Sequence, residues 1–271
     1  MLGKYICFMQ ALDLMRMLYV MAQPAEVDDD RSTQSGLHAR VLDTLGMAIC
    51  GGALEPGTVL FIDDLAEQHT VSRPVVREAL RVLSSMGLVE SRRRVGTIIQ
   101  HPRGWNVYDP LVIRWRLAGA GRIGQLRSIT ELRSAVEPAA ACLAAERAEP
   151  REASELVALA ARMWEAGQAG EMDLFLALDI EFHHRVLAAS RNEMFEHLHQ
   201  AIAEVLTGRH AYGLMPHHPH VDALQMHVDV AQAIQRRDLD TARASMVRIM
   251  ERTMDETKAI WQEQTGAPGS A

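Results

Sequence analysis

The sequence predicts a mainly α-helical protein with two domains. Aromatic residues make up only 5% of the 271 residues, and the chain is rich in Ala, Leu, Arg and Glu, a composition that favours helices over sheets. Two short β-branched or apolar runs lie between residues 87 and 100, whereas residues 126–264 have helical periodicity almost throughout. We therefore expect a small N-terminal domain that ends in a hairpin, and a C-terminal antiparallel helical bundle.

Residues 1–35 predict an extension with no assigned role. Asp13 and Arg16 interrupt its apolar part, which argues against both a secretory signal and a membrane span. The polar stretch from Asp28 to Gly36 predicts a connector. Translation from Met21 is a hypothesis that mass spectrometry of the native protein would test.

Composition restricts the function and the compartment. The formal net charge is −7, so any binding of nucleic acid must come from a local basic patch. Cys7, Cys50 and Cys142 are too few and too scattered for a disulfide framework or a zinc ribbon. We therefore expect a reducing, cytoplasmic compartment.

The N-terminal domain, predicted for residues 36–103, begins with a helix from Leu37 to Cys50 that Gly51 and Gly52 end. The stretch from Leu65 to Leu83 then predicts two short helices joined by a tight turn, which is a helix-turn-helix.

The second of these helices is amphipathic and basic. Ser72 is placed as its N-cap and Pro74 in its first turn. Arg73, Arg77 and Arg81 are spaced by four, so their guanidinium groups share one face, and a helix of this kind fits the DNA major groove. A solvated helix that packs against another protein is the alternative interpretation.

A basic hairpin follows. Residues 87–91 and 97–100 predict two strands, and Arg92 to Gly96 connect them. The three arginines of this wing are suited to contact phosphates while the preceding helix contacts bases.

These residues resemble the N-terminal domain of the GntR-type winged-helix regulators. The resemblance rests on Pro56-Gly57, Leu60, Leu65-Ala66-Glu67, the run from Val71 to Leu80, Leu83, Gly87-Leu88-Val89 and Gly96. It implies operator contacts by Ser72, Arg73 and Arg77, with Gly96 in the turn of the wing. The predicted DNA-binding set is Ser72, Arg73, Val75, Arg77, Arg81, Arg92, Arg93, Arg94 and Gly96. Asp63 and Asp64 depart from the family, since many relatives carry a basic residue at this place.

The second half predicts a linker over residues 104–125, an all-α domain over 126–264 and a tail over 265–271. The aromatic and apolar residues of the linker indicate that it docks. The predicted helices are Ser128 to Arg147, Glu152 to Gly167, Asp173 to Ser190, Glu193 to about Arg209, Val221 to Arg236 and Leu239 to Gln262.

One cluster in the bundle carries metal-binding chemistry. Asp179 and His183 are four residues apart and project from one helix face, and His227 on a later helix can supply a third ligand. Two imidazoles and one carboxylate suit Zn²⁺, with Ni²⁺ or Mn²⁺ as alternatives. A surface pair or a core histidine is the other interpretation of this spacing.

The second half also resembles the FCD ligand-binding domain of the FadR branch. The resemblance rests on Arg133 with Glu137, Asp179, Phe182-His183, Ser190 with Asn192, His227, Ala231 with Ile234, Asp238, and Ala242 with Met246. It implies a divalent metal held by one Asp and three His, completed by an effector carboxylate, with Arg133 and Asn192 as effector-binding residues. Asp179, His183 and His227 match three ligands. The fourth falls at about Ile249, which cannot ligate. Either three side chains hold the metal and the effector or water completes its coordination, or the site binds metal weakly.

Trp105-Asn106, Asp109 to Val112, Trp115 and Leu132 to Pro138 resemble the galactonate-responsive repressors of this branch. That resemblance implies control of sugar-acid uptake and breakdown. A hexonate offers a carboxylate and an adjacent hydroxyl to a metal, and Arg133 is suited to neutralise its charge. The alternative for Arg133 is a helix salt bridge to Glu137.

These patterns together predict a dimeric transcription repressor, not an enzyme, that binds a palindromic operator and a small carboxylate effector. The alternatives are a regulator with an acyl effector and no metal, and a metal-dependent hydrolase, for which Glu181 is poorly placed as a base. We expect no ligand role for His184, His197 and His199. The histidine-rich stretch from Pro216 to His220 is expected to be a connector; adventitious nickel binding and a cover over the pocket are the alternatives.

Overall fold

A computed structural model of the chain describes residues 30–213 and 219–265, and gives only the backbone for 30–35 and 259–265. The predictions for the first 29 residues, for the tail beyond 265 and for residues 214–218 of the histidine-rich stretch lie outside the described residues. The chain forms two compact units, Met1–Arg122 and Ile123–Ala271. Among the described residues no helix is both long and apolar enough to cross a bilayer.

The first unit consists of four α-helices and a small sheet in its described part. Its helices are α1 (Asp30–Cys50), α2 (Ile62–His69), α3 (Arg73–Ser85) and α4 (Pro110–Ala118), and its strands are β1 (Val59–Leu60), β2 (Val89–Arg92) and β3 (Gly96–Ile99). The sheet is antiparallel in the order β1-β3-β2. The winged helix-turn-helix is therefore present, and β1 adds a third strand to the predicted hairpin.

The core of this unit lies where α1, α3 and the sheet meet. Val41, Leu45, Val76 and Leu83 are fully buried there, as the helical periodicity requires. Helix α1 begins at Asp30, within the stretch for which the sequence predicted a polar connector. Polar composition alone does not prevent a helix, because most polar residues cost less than about 1 kcal/mol each in a helix.

The residues predicted as a linker contribute to this core. Trp115 of α4 is 1% exposed, and its indole Nε1 donates a hydrogen bond to Asp43 Oδ1 of α1 at 2.9 Å. Asp109 caps α4 by accepting a hydrogen bond from the Leu111 amide.

The second unit is helical throughout its described residues. Its helices are α5 (Arg122–Arg147), α6 (Pro150–Ala169), α7 (Met172–Ala189), α8 (Glu193–Glu196), α9 (His199–Ala211), α10 (Val221–Gln235) and α11 (Leu239–Thr265). Helix α6 packs against α7 and α10, and α10 packs against α11. The predicted helical bundle is confirmed.

One predicted helix is in fact two. The sequence predicted a single helix from Glu193 to about Arg209, but α8 ends at Glu196 and α9 begins at His199. Neither Gly nor Pro lies at this break, so the sequence contains none of the usual signals for it.

Candidate functional site

Helix α3 presents the three predicted DNA-binding arginines on its outer face. Ser72 is the N-cap, with extended backbone, and Pro74 occupies the first turn. Arg73, Arg77 and Arg81 are exposed, whereas Val75 is half-buried. The helix thus has a buried apolar face and an exposed basic face, and a helix of this kind fits the DNA major groove.

Two of these arginines are held by acidic residues. Arg73 Nε lies 2.7 Å from Asp63 Oδ1 of α2, and Arg81 Nη2 lies 2.6 Å from Glu78 Oε1 of its own helix. Arg77 forms no ion pair with any part of the chain that the structure describes.

The wing places three arginines at the end of the sheet. Arg92 Nη2 lies 3.0 Å from Glu90 Oε2, and Arg93 and Arg94 occupy the turn that follows. Gly96 has φ +124, and a Cβ there would lie 2.7 Å from Val59 Cγ1. Glycine is therefore required where β3 passes β1.

In the second unit, Asp179 and His183 of α7 meet His227 of α10. One ligand atom from each lies within 4.8 Å of the other two, and all three residues are buried. Asp179 Oδ1 is 3.4 Å from His183 Nε2 and 3.2 Å from His227 Nε2. Bonds of about 2.0–2.1 Å in a tetrahedral site place ligand atoms about 3.3 Å apart. The two distances from Asp179 are therefore close to the separation of ligand atoms around a tetrahedral metal ion.

Each imidazole is oriented through its other nitrogen. His227 Nδ1 lies 2.7 Å from the Ala223 carbonyl, and its buried Nε2 makes no well-directed hydrogen bond among the described residues. His183 Nδ1 lies 2.5 Å from Glu137 Oε2, a close ionic contact in which neither atom makes a well-directed hydrogen bond among the described residues. A carboxylate or a carbonyl behind each histidine is the usual arrangement around metal ligands. The residues present fit a divalent metal.

Glu137 belongs to the cluster, although sequence patterns did not assign it to the site. Its Oε1 lies 2.5 Å from Arg133 Nε, and its Oε2 contacts His183. The sequence suggested only the pair with Arg133, four residues away. The contact with His183 depends on the packing of α5 against α7, so no local pattern indicates it.

Charges in this cluster control its protonation. Burial alone would raise the pKa of Glu137, but Arg133 and His183 outweigh it and lower that pKa to about 2. Burial alone would lower the pKa of His183, but Glu137 and Asp179 raise it to about 9. The pKa of Asp179 lies well below its usual range, because His183 and His227 outweigh its burial. Without a metal, His183 is therefore protonated at neutral pH.

The cluster lies at the wall of a cavity. Arg133 and Ile249 both line it, so the residue at the expected fourth-ligand position does face the site. Pro219 and His220, which end the histidine-rich stretch, also line it. The remaining lining residues are Met172, Phe175, Asp179, His183, Leu206, Arg209, Ala223, Met226, His227, Arg252, Thr253 and Glu256.

Arg209 lines the cavity, and the sequence did not indicate it. It is 3% exposed, its Nη2 lies 2.9 Å from Glu256 Oε2, and its Nε has no hydrogen-bond partner among the described residues. Burial lowers its pKa, and the positive charge of Arg133 lowers it further. Two buried guanidinium groups thus share one cavity, an arrangement that favours an anion between them.

The other residues considered for the site lie outside the cavity. Asn192 is the N-cap of α8, where its Oδ1 accepts a hydrogen bond from the Met194 amide at 3.0 Å, and it does not line the cavity. His184 and His199 stack with ring centroids 4.4 Å apart. Glu181 is bound to Arg185 at 2.6 Å.

Comparisons with known proteins agree with this architecture. Residues 37–99 match the bacterial regulatory proteins of the gntR family, and residues 128–252 match the FCD domain. The galactonate operon transcriptional repressor of Escherichia coli (strain K12) is 28% identical over 223 residues, 82% of this chain and 96% of the relative. The HTH-type transcriptional regulator LutR of Bacillus subtilis (strain 168) is 31% identical over 160 residues, 58% of this chain and 70% of the relative.

A solved structure supports the fold alone. It is that of Lar, which controls the expression of the Listeria monocytogenes agr system, and it matches with a TM-score of 0.52 at 16% identity, covering 87% of this chain and 99% of the other. The sequence matches support the function class as well as the fold, because both domains are matched in order and the relatives are transcription regulators. The chain therefore belongs to the gntR family of bacterial regulatory proteins, and it is a DNA-binding transcription regulator with an FCD domain rather than an enzyme.

Proposed function

We propose that this protein is a dimeric repressor of sugar-acid catabolism genes, released from its operator by a carboxylate effector that binds at a divalent metal. The observation that carries the proposal is the convergence of Asp179, His183 and His227 at the wall of a cavity that also contains two buried arginines. The sugar-acid class is supported by the similarity to a galactonate operon repressor.

In this proposal Asp179, His183 and His227 hold the ion, which supplies open coordination positions to an oxygen ligand. Ile249 adds no ligand, so the effector or water completes the coordination. A hexonate fits because its carboxylate and the adjacent hydroxyl form a bidentate chelate.

Arg133 then neutralises the negative charge of the effector carboxylate. Its Nη2 lies 3.3 Å from His183 Nε2, close enough to donate whenever that nitrogen carries a lone pair. With a metal held by His183, Nε2 would offer no lone pair to Arg133, so the Arg133 N–H would be available to an effector oxygen. Glu137 stays bound to Arg133 Nε and keeps the guanidinium in place.

On the DNA side, we assign base and phosphate contacts to Ser72, Arg73, Arg77, Arg81 and the wing from Arg92 to Gly96. A dimer would place two α3 helices in successive major grooves of a palindromic operator. Effector binding needs to change operator affinity by only about 5- to 150-fold, a coupling of about 1–3 kcal/mol.

The test is fluorescence anisotropy on a labelled fragment of DNA from upstream of the protein's own gene. The protein is titrated with a panel of hexonates, with and without a chelator. We expect one hexonate to release the DNA and the chelator to prevent this release. His183→Asn should abolish the response, whereas His184→Asn, which changes the neighbouring histidine outside the cavity, should keep it.

An acyl effector without metal is the second candidate, because Phe175, Leu206, Met226 and Ile249 give the cavity an apolar side. Release by a fatty acid, unaffected by chelator and by His183→Asn, would replace the metal proposal with this one. Absence of DNA binding would reject both.

A further inference from the structure

The two helices of the helix-turn-helix are joined by an ion pair at their N-terminal ends. Asp63 lies in the first turn of α2, and Arg73 is the first residue of α3. Arg73 Nε lies 2.7 Å from Asp63 Oδ1, and the two side chains are 64% and 67% exposed.

The other two arginines on this face of α3 form no ion pair with α2. Arg81 is bound by Glu78 within α3, and Arg77 pairs with none of the described residues. Asp64, the neighbour of Asp63 on α2, is exposed and makes no ion pair in the described chain. Asp63 is therefore distinguished from Asp64 by its contact with Arg73.

The atom of Arg73 that contacts Asp63 determines which N–H groups of Arg73 remain available to DNA. Asp63 engages Nε, so the terminal Nη1 and Nη2 groups of Arg73 can point away from α2. A guanidinium presented by its end can donate to both O6 and N7 of one guanine. Bound to a carboxylate, it loses less conformational freedom on binding than a free arginine does.

The pair is weak while it is exposed to water, since surface ion pairs contribute little. DNA binding removes water from around it and lowers the local dielectric constant, which strengthens the interaction. The Asp63 carboxylate also repels nearby phosphates, so it lowers affinity for every sequence.

We propose that Asp63 is a positioning residue that fixes Arg73 for end-on recognition of one operator guanine, and that it increases sequence discrimination at the expense of overall affinity. This inference rests on the proposed function in one respect: that α3 binds operator DNA.

Asp64→Asn is a matched control, because it removes the same charge from the same helix turn without touching Arg73. Both Asp63→Asn and Asp64→Asn should raise affinity for unrelated DNA by a similar factor. Only Asp63→Asn should reduce discrimination between the operator and altered operators.

The experiment uses the full chain and measures anisotropy on the operator and on variants in which each G·C pair is replaced by A·T. In the wild type, replacing the guanine that Arg73 contacts should lower affinity roughly 5- to 150-fold. Arg73→Gln identifies this guanine, because in that variant the loss of affinity disappears. At this position Asp63→Asn should reduce the penalty by about 3- to 5-fold. Asp64→Asn should leave it unchanged.

Three outcomes overturn the inference. Equal penalties in Asp63→Asn and Asp64→Asn at that guanine would show that Asp63 acts only through its charge. A loss of discrimination at a different base pair would show that Asp63 contacts a base itself, such as a cytosine. Unchanged discrimination at every pair would remove any role in recognition. If the wild type does not bind its upstream DNA, the proposed function itself fails.

Discussion

At the scale of single residues, the buried cluster illustrates how one side chain acquires two roles. Arg133 is four residues from Glu137 on α5 and forms the expected helix salt bridge, yet both are at most 2% exposed. Glu137 also contacts His183, so the same carboxylate balances Arg133 and orients a proposed metal ligand. The two interpretations of Arg133, salt bridge and effector contact, are therefore compatible.

We predict that Glu137→Gln weakens zinc binding by about 10- to 100-fold, because His183 loses the carboxylate behind it. The change also leaves Arg133 buried without a counter-charge, so the free energy of unfolding should fall by about 3–5 kcal/mol. Competition titration with a zinc chelator and urea unfolding measure the two effects.

The control is Glu131→Gln, which breaks the exposed pair with Arg127 on the same helix. It should change stability by less than about 0.5 kcal/mol and leave zinc affinity intact. Equal zinc affinity in Glu137→Gln and wild type would reject the orienting role of Glu137.

We predict that Arg209→Met raises the effector concentration needed for half-release from DNA by about 10-fold or more, since hydrogen bonds to charged groups contribute about 1.5–3 kcal/mol. Zinc content should not change, because Arg209 is not a ligand. Arg248→Met, which removes an exposed arginine of α11 that is paired with Asp229, should have no effect. An unchanged release curve for Arg209→Met would exclude Arg209 from the effector site.

At the scale of elements, the packing of α4 on α1 depends on one glycine. A Cβ at Gly46 would overlap the indole ring of Trp115, whereas a Cβ at Gly36, in the same helix, would meet nothing within 4 Å. Gly46 is thus required by a close helix approach, although its position in the sequence is an ordinary helix interior.

The two glycines should respond to alanine with opposite signs. Gly46→Ala is expected to lower the free energy of unfolding by about 1–3 kcal/mol, because the site has no room for an added methyl group. Gly36→Ala should raise it by up to about 1 kcal/mol, because alanine is the better helix former. Urea unfolding of both variants checks this, and a neutral Gly46→Ala would contradict the packing.

At the scale of the whole molecule, charge is distributed unevenly. The chain carries a formal charge of −7, but residues 37–99 contain seven arginines and seven acidic residues, and six of those arginines lie on α3 or the wing. A net-acidic protein can therefore still present a basic surface to DNA.

This distribution predicts the salt dependence of DNA binding. Arg93→Gln should reduce the slope of log K against log salt by about 0.9 for each phosphate that the variant no longer neutralises. Arg162→Gln removes the same charge from an exposed position on α6 and should leave the slope unchanged. Equal slopes in Arg93→Gln and wild type would remove the wing from the DNA interface.

The winged helix-turn-helix and the all-α second half follow from local patterns in the sequence. Helix periodicity, the Ser72 and Pro74 start signals and the basic face of α3 are local properties of consecutive residues, and so is the turn at Pro56-Gly57. Gly96, expected in the turn of the wing, is instead the first residue of β3 and pairs with Arg92. The i,i+4 pair of Asp179 and His183 is equally local.

Contacts between side chains on different helices depend on tertiary packing. Glu137 contacts His183 and Arg209 enters the cavity because α5, α9 and α11 pack around α7 and α10, and such packing depends on the shapes of many residues at once. Asn192 matched a family pattern but serves as a helix cap. The strand β1 and the break between α8 and α9 could not be predicted from the sequence. A strand of two residues is too short for a periodic pattern, and the break contains neither Gly nor Pro.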